Sequence, residues 1–289
     1  MSLSQHIPWW AKIGAKIVLS RVPVPYRAWR RLGIFRHGAM LDPNYSHAVF
    51  KSHFLALQEK CTGVPRSLLE LGPGDSVMTA IWACVAGVER TILVDAGCFA
   101  TKDANAYHRA FRLAGFADHP AANERDIGLM LTALNARYLS NGLASLRSMP
   151  KASVDFIFSN AVLEHVRREE FVETIQELFR TQTPGGISSH QVDLRDHLGG
   201  ALNSLRISPA RWESPLFAES GFYTNRLRAS EISKIFTDAG YEIISYTERK
   251  WDHAPISRKA LHKAFQGFTD QDLLVNGIRL VVRRPAAPD

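Results

Sequence analysis

The sequence predicts a doubly wound α/β domain with a mostly parallel, seven-stranded sheet and an antiparallel last strand. Two observations lead to this fold class. Between residues 42 and 194, short apolar runs alternate with helical patterns, as βα units around a parallel sheet do. Beyond residue 194, an irregular stretch is followed by a helix, a strand, a second helix and a final strand. A strand added so late favours an antiparallel partner inserted at the end of the sheet.

The predicted elements follow one another in a regular order. The strands are expected at Ser67–Leu71, Thr91–Val94, Arg137–Ser140, Val154–Ser159, Ile187–Leu194, Tyr241–Glu248 and Gly277–Arg283. The helices are expected at Tyr45–Lys60, Val77–Val85, 104–115, 126–136, Glu169–Arg180 and Ala229–Ala239. The Pro184-Gly185-Gly186 cluster is a breaker that ends the helix before it and begins the fifth strand. Gly240 is a natural C-terminal cap for the last of these helices.

Charge divides the chain into a basic N-terminal helical extension, residues 1–41, and a neutral domain, residues 42–289. The 289 residues carry 35 Lys and Arg against 28 Asp and Glu, a formal net charge of +7. Seven of the basic residues and none of the acidic ones lie in the extension, so the remaining chain balances at 28 against 28. A domain that grips nucleic acid over its whole face carries a broader basic footprint. The neutral domain therefore argues against nucleic acid as a partner.

Cysteine usage and hydrophobic patterning indicate the compartment. Cys61, Cys84 and Cys98 form no CxxC pair and no metal-ligand spacing, so no metal site is predicted. No run reaches the ~20 apolar residues that cross a bilayer. The N-terminus also lacks the basic and then apolar pattern of a secretory signal. We therefore expect a cytoplasmic protein.

The strongest functional signal is the segment Leu68-Leu69-Glu70-Leu71-Gly72-Pro73-Gly74-Asp75-Ser76. An apolar strand runs into a glycine turn that opens a helix, and glycine is needed where the backbone turns sharply and approaches a ligand. NAD-binding enzymes use this geometry with the pattern GxGxxG, but the third position here is Val77. Glu70 precedes the first glycine by two residues, where it can meet a cationic or hydrogen-bond-donating ligand group. A tight turn without a ligand is the alternative interpretation.

This segment resembles motif I of class I S-adenosylmethionine (SAM)-dependent methyltransferases, commonly written ExGxG, with Ser76 in place of a frequent third glycine. The resemblance implies a Rossmann-like methyltransferase fold in which Gly72, Pro73 and Gly74 let the backbone approach the methionine part of SAM. Asp95 ends the second strand about twenty residues later, at the spacing of a ribose-binding acid. Its carboxylate can accept from both ribose hydroxyls. A helix N-cap is the alternative role for an aspartate at this position.

A second segment extends the resemblance. Residues 153–166, with the sequence SVDFIFSNAVLEHV, are similar to the "FD.V.s..vleHv" segment of the type 11 group of small-molecule and lipid methyltransferases. The Pro184-Gly185-Gly186 cluster resembles that group's "LKPGG" turn, so the resemblance covers about residues 66–194. It implies that Asn160 contacts the cofactor. Asn141 stands where the family often has an acid beside the adenine.

The residues after the fourth strand also narrow the acceptor. Enzymes that methylate the amino groups of nucleic-acid bases carry Asn/Asp-Pro-Pro-aromatic there, whereas this chain has Ser-Asn-Ala-Val. DNA and RNA bases are therefore disfavoured as substrates.

Two histidines are candidates for the base that methyl transfer to a hydroxyl requires, because histidine is the usual side chain with a pKa near neutrality. His165 follows the fourth strand within the family-typical segment. His190 lies in the polar string from Ser188 to His197, at the end of a central strand where open α/β sheets place ligands. Both are therefore predicted as catalytic residues. The alternative for the string is a hydrogen-bonded hinge.

Residues 195–228 are predicted to form an insert that covers the acceptor, since methyltransferases often carry such an insert after the fifth strand. Arg195, His197 and Arg226 are the expected substrate-binding residues. Arginines among aromatic residues suit an acceptor that bears phosphate or many hydroxyl groups. A solvated loop with ordinary surface arginines is the alternative.

The N-terminal extension carries an amphipathic pattern. One helical side holds Trp9, Trp10, Ile13 and Ile17, and another holds Lys12 and Lys16. Trp and Lys on one amphipathic helix are typical of an interfacial membrane helix, and basic residues add attraction to anionic lipid. We therefore expect peripheral contact with the inner membrane face through residues 8–36. In the alternative, the apolar side packs on the domain as a lid over the cofactor.

Together these features predict a SAM-dependent methyltransferase of small, lipid-linked or nucleotide-linked acceptors. The expected reaction is O-methylation in cell-surface glycan or lipid biosynthesis, because the protein resembles bacterial methyltransferases that accompany polysaccharide synthesis and has a basic, aromatic N-terminus and an Arg-rich insert. Three alternatives stay open. A SAM-binding partner or regulatory protein without turnover is consistent with Ser76 and the missing third-strand acid. An NAD-dependent oxidoreductase is disfavoured by Val77, and a nucleic-acid methyltransferase would use the basic extension as a tether.

Overall fold

Seven strands form a single sheet in the computed structural model, which describes residues 39–286 and, in the N-terminal extension, Pro8, Trp10, Ala11, Ile13, Gly14 and Ile17. The strands are β1 (Ser67–Leu71), β2 (Arg90–Val94), β3 (Ala136–Leu139), β4 (Val154–Asn160), β5 (Gln182–Asp193), β6 (Glu242–Lys250) and β7 (Val275–Arg283). Their order across the sheet is β3-β2-β1-β4-β5-β7-β6. Strands β1 to β5 pair in parallel, and β7 is antiparallel to both β5 and β6. The predicted fold class is confirmed.

Helices cover both faces of the sheet. They are α1 (Pro43–Gln58), α2 (Thr79–Val85), α3 (Ala104–Leu113), α4 (Ile127–Ala133), α5 (Gly142–Arg147), α6 (Arg168–Thr181), α7 (Pro209–Trp212), α8 (Pro215–Ala218), α9 (Ala229–Asp238) and α10 (Asp270–Leu274). Apolar side chains of α1 to α4 pack with Leu68 of β1 on one side, the α1 face. Those of α5, α6 and α9 pack with Leu69 on the other, the α9 face. Because consecutive strand residues point to opposite sides, each strand position belongs to one face.

Helix α1 shows how the sequence builds the α1 face. It begins after Asp42, whose side chain accepts a hydrogen bond of 2.9 Å from the Asn44 N–H. Its buried stripe includes Val49, Phe50, His53, Phe54 and Leu57 at helical spacing. His53 therefore occupies a core position, where its buried neighbours on the helix, Val49, Phe50, Phe54 and Leu57, are apolar.

The fifth strand begins earlier than predicted, at Gln182 instead of Ile187. Gln182 pairs with Val154 of β4, and the register then shifts so that Ile187 pairs with Phe156. The Pro184-Gly185-Gly186 cluster is accommodated as an irregularity inside β5. A Cβ on Gly186 would lie 2.9 Å from the carbonyl oxygen of Asp155, so glycine is required there. A turn signal in the sequence thus marks a bulge in the sheet.

The insert, residues 195–228, is organised around the buried Trp212. This side chain packs with four others, which are Leu198, Phe217, Phe222 and Tyr223. Ile13 of the N-terminal extension is buried in the same cluster and Ile17 packs against it, whereas Trp10 is 64% exposed. Part of the predicted apolar side of the extension therefore packs on the insert. Trp9, Lys12 and Lys16 lie outside the described residues, and in the described part of the chain no helix has the length and hydropathy of a membrane span.

Candidate cofactor and acceptor site

The carboxyl ends of β1 and β4 meet at the centre of the sheet, where the chain leaves them in opposite directions. Helix α2, which follows β1, packs on the α1 face, and α6, which follows β4, packs on the α9 face. Such a reversal opens a crevice at the carboxyl ends of the strands, the place where open α/β sheets bind ligands. The glycine turn follows β1, Asp95 follows β2, and Asn160 ends β4. Predicted cofactor residues from three strands therefore reach this crevice.

The glycine turn has the backbone conformation that its sequence predicts. Gly72 and Gly74 have φ angles of 75° and 69°, which side chains other than glycine rarely adopt. The Gly72 N–H donates 2.8 Å to the carbonyl of Val94, which ties the turn to β2. A Cβ on Gly72 would lie 2.3 Å from Cγ2 of Val162, in the segment after β4. Gly72 is thus required by its own φ and by a close contact within the protein, and Pro73 beside it is buried.

Asp95 is held by the glycine turn. One carboxylate oxygen accepts 3.0 Å from the Gly74 N–H and the other accepts 2.7 Å from the Ala96 N–H. Burial raises the pKa of Asp95 to about 6, although these two hydrogen bonds act in the opposite direction. The N-cap of the following helix, α3, is Asp103, which leaves Asp95 outside that role. Each carboxylate oxygen keeps a lone pair with which it can accept from a ribose hydroxyl.

Glu70 lies on the α1 face of β1 and is only 1% exposed. Burial raises the pKa of its carboxyl group to about 8; the Thr79 hydroxyl acts in the opposite direction, and Asp95 adds a further increase. Its Oε2 atom has no hydrogen-bond partner among the described residues. A buried acceptor without a partner is costly unless a ligand donates to it. This orphaned oxygen fits a ligand that carries an ammonium group, as the methionine part of SAM does.

The two predicted asparagines differ in their surroundings. Asn141 is exposed and precedes α5 as its N-cap residue, and its side chain makes no capping hydrogen bond. Asn160 is half-buried, and its Oδ1 lies 3.5 Å from Nε2 of His53. The residues present fit SAM at Glu70, Asp95 and Asn160, which lie on or directly after β1, β2 and β4 and offer one carboxyl with an unpartnered oxygen, one anchored carboxylate and one amide.

His190 lies on the α9 face, away from the crevice, where its side chain is 0% exposed. Its Nδ1 is 2.8 Å from Oγ of Ser159, and its ring centroid is 5.1 Å from that of Phe236 in α9. Burial lowers the pKa of His190 to about 3. A general base must reach the proton that it removes. The packing under α9 therefore argues against the prediction that His190 is the base, and we assign it to the core.

His165 is exposed and lies at the mouth of the crevice, in the 3₁₀ turn Leu163–His165 after β4. Its Nδ1 is 3.1 Å from the carbonyl oxygen of Tyr223 in the insert. A carbonyl only accepts, so Nδ1 carries the proton of the neutral ring and Nε2 is its basic atom. The ring of His197 lies 4.9 Å away, centroid to centroid. The structure thus brings together two histidines that are 32 positions apart in the sequence.

The two predicted substrate-binding arginines have different environments. Arg195 is exposed near the end of β5, where its Nη2 donates 2.8 Å to Asp193. Arg226 is buried, with its guanidinium between the rings of Trp212 and Phe265, 5.0 and 4.8 Å from their centroids. Its Nη1 donates to two carbonyl oxygens of the insert itself. The expectation that Arg226 contacts the substrate is therefore at odds with its placement, because aromatic rings and carbonyls already surround this cation.

Two buried residues at the site were missed by sequence reasoning. Glu164 is 3% exposed; its Oε1 accepts 3.3 Å from the Asp193 N–H, and its Oε2 has no hydrogen-bond partner among the described residues. Burial raises the pKa of Glu164 to about 8, and Asp193 raises it further. His53 is fully buried beside Asn160. A signal for His53 was available, since an imidazole stands within the apolar stripe of α1.

Comparison with known proteins assigns the family. A family model described as a methyltransferase domain matches residues 45–246. The chain belongs to this methyltransferase family. Its cofactor is SAM, in agreement with the fit at Glu70 and Asp95. The matched range contains β1 to β5 and the whole insert.

Individual matches cover less or are more distant. A relative from Mycolicibacterium smegmatis, named as a probable S-adenosylmethionine-dependent methyltransferase, is 29% identical over 114 residues, which are 38% of this chain and 38% of that protein. A SAM-dependent methyltransferase from Methanosarcina mazei has a TM-score of 0.49 at 18% identity, covering 80% of this chain and 98% of that one. A geranyl diphosphate C-methyltransferase from Streptomyces coelicolor has a TM-score of 0.45 at 14% identity, covering 83% and 79%.

Proposed function

We propose that this protein transfers the methyl group of SAM to a hydroxyl group of a small, lipid-linked or nucleotide-linked acceptor. The observation that carries the proposal is His165, an exposed imidazole held in one tautomer by the Tyr223 carbonyl at the mouth of the crevice. Methyl transfer from a sulfonium needs in-line positioning, and a hydroxyl acceptor must also lose its proton. An oriented neutral histidine supplies the second requirement.

The proposed chemistry balances without a further reactant. SAM supplies an electrophilic methyl group on a positively charged sulfur. Bound SAM would supply this methyl group to the acceptor oxygen, so that a C–O bond would replace the S–CH₃ bond and its electron pair would stay on sulfur. His165 Nε2 takes the hydroxyl proton, while Nδ1 keeps its hydrogen bond to Tyr223. Glu70, Asp95 and Asn160 hold the cofactor, with Asn141 and the backbone of Gly72, Pro73 and Gly74 as further predicted contacts.

The acceptor-binding role of the insert remains part of the proposal. Arg195 and His197 stay the candidates for contact with the acceptor, because both follow the carboxyl end of β5 and the ring of His197 lies beside that of His165. The Arg195 side chain is 45% exposed although it pairs with Asp193. A guanidinium that is accessible and held in place suits the phosphate or sugar hydroxyls of a glycan precursor.

We also propose peripheral contact of the N-terminal extension with anionic membrane, which would bring the site to lipid-linked acceptors. Ile13 and Ile17 anchor the extension on the insert, and Trp10 faces away with most of its surface exposed. The whole net charge of +7 lies in residues 1–41. An exposed tryptophan on a basic segment suits the interface of an anionic bilayer.

Calorimetry with S-adenosylhomocysteine (SAH), the demethylated product, tests cofactor binding first. We expect tight binding by the wild-type protein, and binding at least about 30-fold weaker for Asp95→Ala, because a buried charged hydrogen-bonding group is lost. Asp103→Ala, which removes the exposed N-cap of α3, is the matched control and should bind as the wild type does. If Asp95→Ala bound normally, the cofactor site would be misplaced.

Methyl-labelled SAM incubated with membrane extracts tests the acceptor class. Label is expected in a glycan or lipid fraction, and deletion of residues 1–41 should lower incorporation into lipid-linked material. Label that never enters either fraction would overturn the acceptor proposal. SAH binding without transfer to any acceptor would favour the non-catalytic partner instead.

A further inference from the structure

His53 has no role in the proposed chemistry, yet it has polar partners in the core. It is 0% exposed on the α1 face, over β4 and β5. Its ring stacks on Phe158 of β4 with centroids 4.9 Å and planes 23° apart. Nδ1 is 2.8 Å from Oγ of Ser189, and Nε2 is 3.5 Å from Oδ1 of Asn160. Of these partners, Asn160 is the one that reaches the candidate cofactor site.

These partners decide where the single proton of the imidazole lies. Burial lowers the pKa of His53 to about 3, and Arg279 adds to this effect, so the ring is neutral at physiological pH. The amide oxygen of Asn160 only accepts, which requires the proton on Nε2 of His53. Nδ1 then accepts, and the hydroxyl of Ser189 donates to it. Hydrogen bonds therefore run in one direction, from Ser189 through His53 to Asn160.

The contact with His53 also orients the amide of Asn160. A side-chain amide has two different ends, an accepting oxygen and a donating NH₂ group, and only its partners determine which way it points. Because Oδ1 is taken by His53, the NH₂ end points away from the imidazole. The preceding residue, Ser159, pairs with Leu71, directly before Gly72. The donor is thus placed beside the start of the glycine turn.

We propose that His53 is a positioning residue for SAM binding, which holds the Asn160 amide with its N–H groups available to the carboxylate or hydroxyl oxygens of the cofactor. The inference rests on the proposed function, because it takes Asn160 as a cofactor contact. Packing alone would be served as well by leucine, which has no polar atoms to remove from water. His53 acts through Asn160 and does not touch the reacting atoms.

A double-mutant cycle on SAH affinity tests this role. His53→Leu should weaken SAH binding about 10-fold, in the range of one lost or misdirected hydrogen bond. Asn160→Ala should weaken it by a similar factor, and the double variant no more than Asn160→Ala alone, because His53 acts only through that amide. If His53→Leu weakens binding by the same factor in the Asn160→Ala protein, the effect is general loosening and the proposal is overturned.

Two further variants separate positioning from packing. His53→Gln keeps a hydrogen-bond donor and an acceptor, so its SAH affinity should lie within about 3-fold of wild type, above that of His53→Leu. A purely structural role of His53 does not require this recovery. If His53→Leu does not fold, Ser189→Ala takes its place in the cycle with Asn160→Ala, since it removes one hydroxyl and keeps the imidazole. Ser189→Ala that binds SAH as wild type does would then overturn the role.

The ring itself gives a spectroscopic test. Long-range ¹H–¹⁵N spectra of His53 should show the Nε2–H tautomer with no titration between pH 5 and 8, and an Nδ1–H tautomer would overturn the proposal. SAH binding also distinguishes a failure of the proposed function from a failure of the role of His53. Folded wild-type protein that does not bind SAH removes the proposed function together with this role, whereas normal SAH binding that His53→Leu leaves unchanged removes only the role of His53.

Discussion

Two fully buried histidines, His53 and His190, lie on opposite faces of the same pair of strands. Both are 0% exposed, and burial lowers the pKa of each to about 3. Each has its Nδ1 2.8 Å from a serine hydroxyl, Ser189 for His53 and Ser159 for His190. They differ at Nε2, which faces Asn160 in His53 and has no hydrogen-bond partner in His190 among the described residues. Two histidines with the same burial and the same lowered pKa therefore differ in the groups that they can influence.

The difference follows from what lies beyond each ring. On the α1 face, the chain of hydrogen bonds continues to the crevice between β1 and β4. On the α9 face, the ring of His190 packs against the ring of Phe236, and the chain of hydrogen bonds ends at His190. A buried imidazole influences a site only where its second nitrogen reaches it. His165 is the third case, because its ring is exposed and lies in the turn directly after β4.

The largest expected difference is between His165 and His190 in turnover. His165→Gln should lower the rate of methyl transfer by about 100-fold or more, because positioned general bases contribute that much. SAH affinity should stay unchanged, since His165 does not hold the cofactor. His190→Leu should keep turnover within about 2-fold of wild type. The two folded variants are compared by the rate at which they transfer labelled methyl groups to the membrane fraction that the wild type labels. A larger loss of rate in His190→Leu than in His165→Gln would restore His190 as the base.

The next difference concerns pH. The pKa of each buried histidine falls from 6.5 in the unfolded chain to about 3 in the folded protein. The unfolded state therefore takes up the proton first, and each histidine removes stability as pH falls from 6.5 towards 3, by up to about 1.4 kcal/mol per pH unit. Glu70 and Glu164 act oppositely, because their raised pKa values give stability at low pH that is lost between 4.5 and about 8. The two sets of groups partly cancel in the wild-type profile.

Comparing each leucine variant with wild type removes that cancellation. The free energy of unfolding of His190→Leu should improve relative to wild type by about 2 to 3 kcal/mol between pH 6.5 and 4.5. His53→Leu should show the same slope, since both pKa values are lowered to about 3. Urea unfolding at several pH values measures this. A difference that does not change with pH would mean that the ring is not protonated on unfolding in this window.

The smallest expected effect is a difference in SAH affinity between the Ser159→Ala and Ser189→Ala variants. Ser159→Ala and Ser189→Ala each remove one hydroxyl that bonds a buried imidazole, and each should cost about 1 kcal/mol of stability. Only Ser189→Ala should also weaken SAH binding, by a few-fold, because its hydroxyl begins the chain that ends at Asn160. Equal SAH affinities in the two variants would show that the faces do not differ in this way.

The strand and the glycine turn that carry the candidate cofactor residues could be predicted from the sequence because their signals are local. β1 lies at Ser67–Leu71 as expected, since five buried residues followed by a glycine turn leave few alternatives. Asp95 follows β2 directly, and its neighbour in the turn, Gly74, is supplied by the same motif. Each of these features depends on a few consecutive residues. The alternation of strands and helices along the chain then predicts a doubly wound sheet.

The acceptor half was harder to predict because it depends on which face a residue joins. Strand β5 is buried on both sides, so the string from Ser188 to His197 gives no hydrophobic alternation that assigns His190 to one face. The environment of Arg226 is set by Trp212 and by Phe265, which is distant in sequence. An arginine in an aromatic-rich segment looks the same whether it binds a substrate or its own protein.

The position of β7 has a consequence for the making of the protein. This strand is the last of the seven in chain order, yet it lies between β5 and β6, and Arg228 donates to the carbonyls of Asp272 and Val275 at its entrance. A nascent chain that ends before residue 275 thus lacks the strand that pairs with both β5 and β6, and it lacks the Val275 carbonyl to which Arg228 donates. Unpaired edges are sites of aggregation. Until β7 has been synthesised, the edges of β5 and β6 that it will cover are open to pairing with other chains.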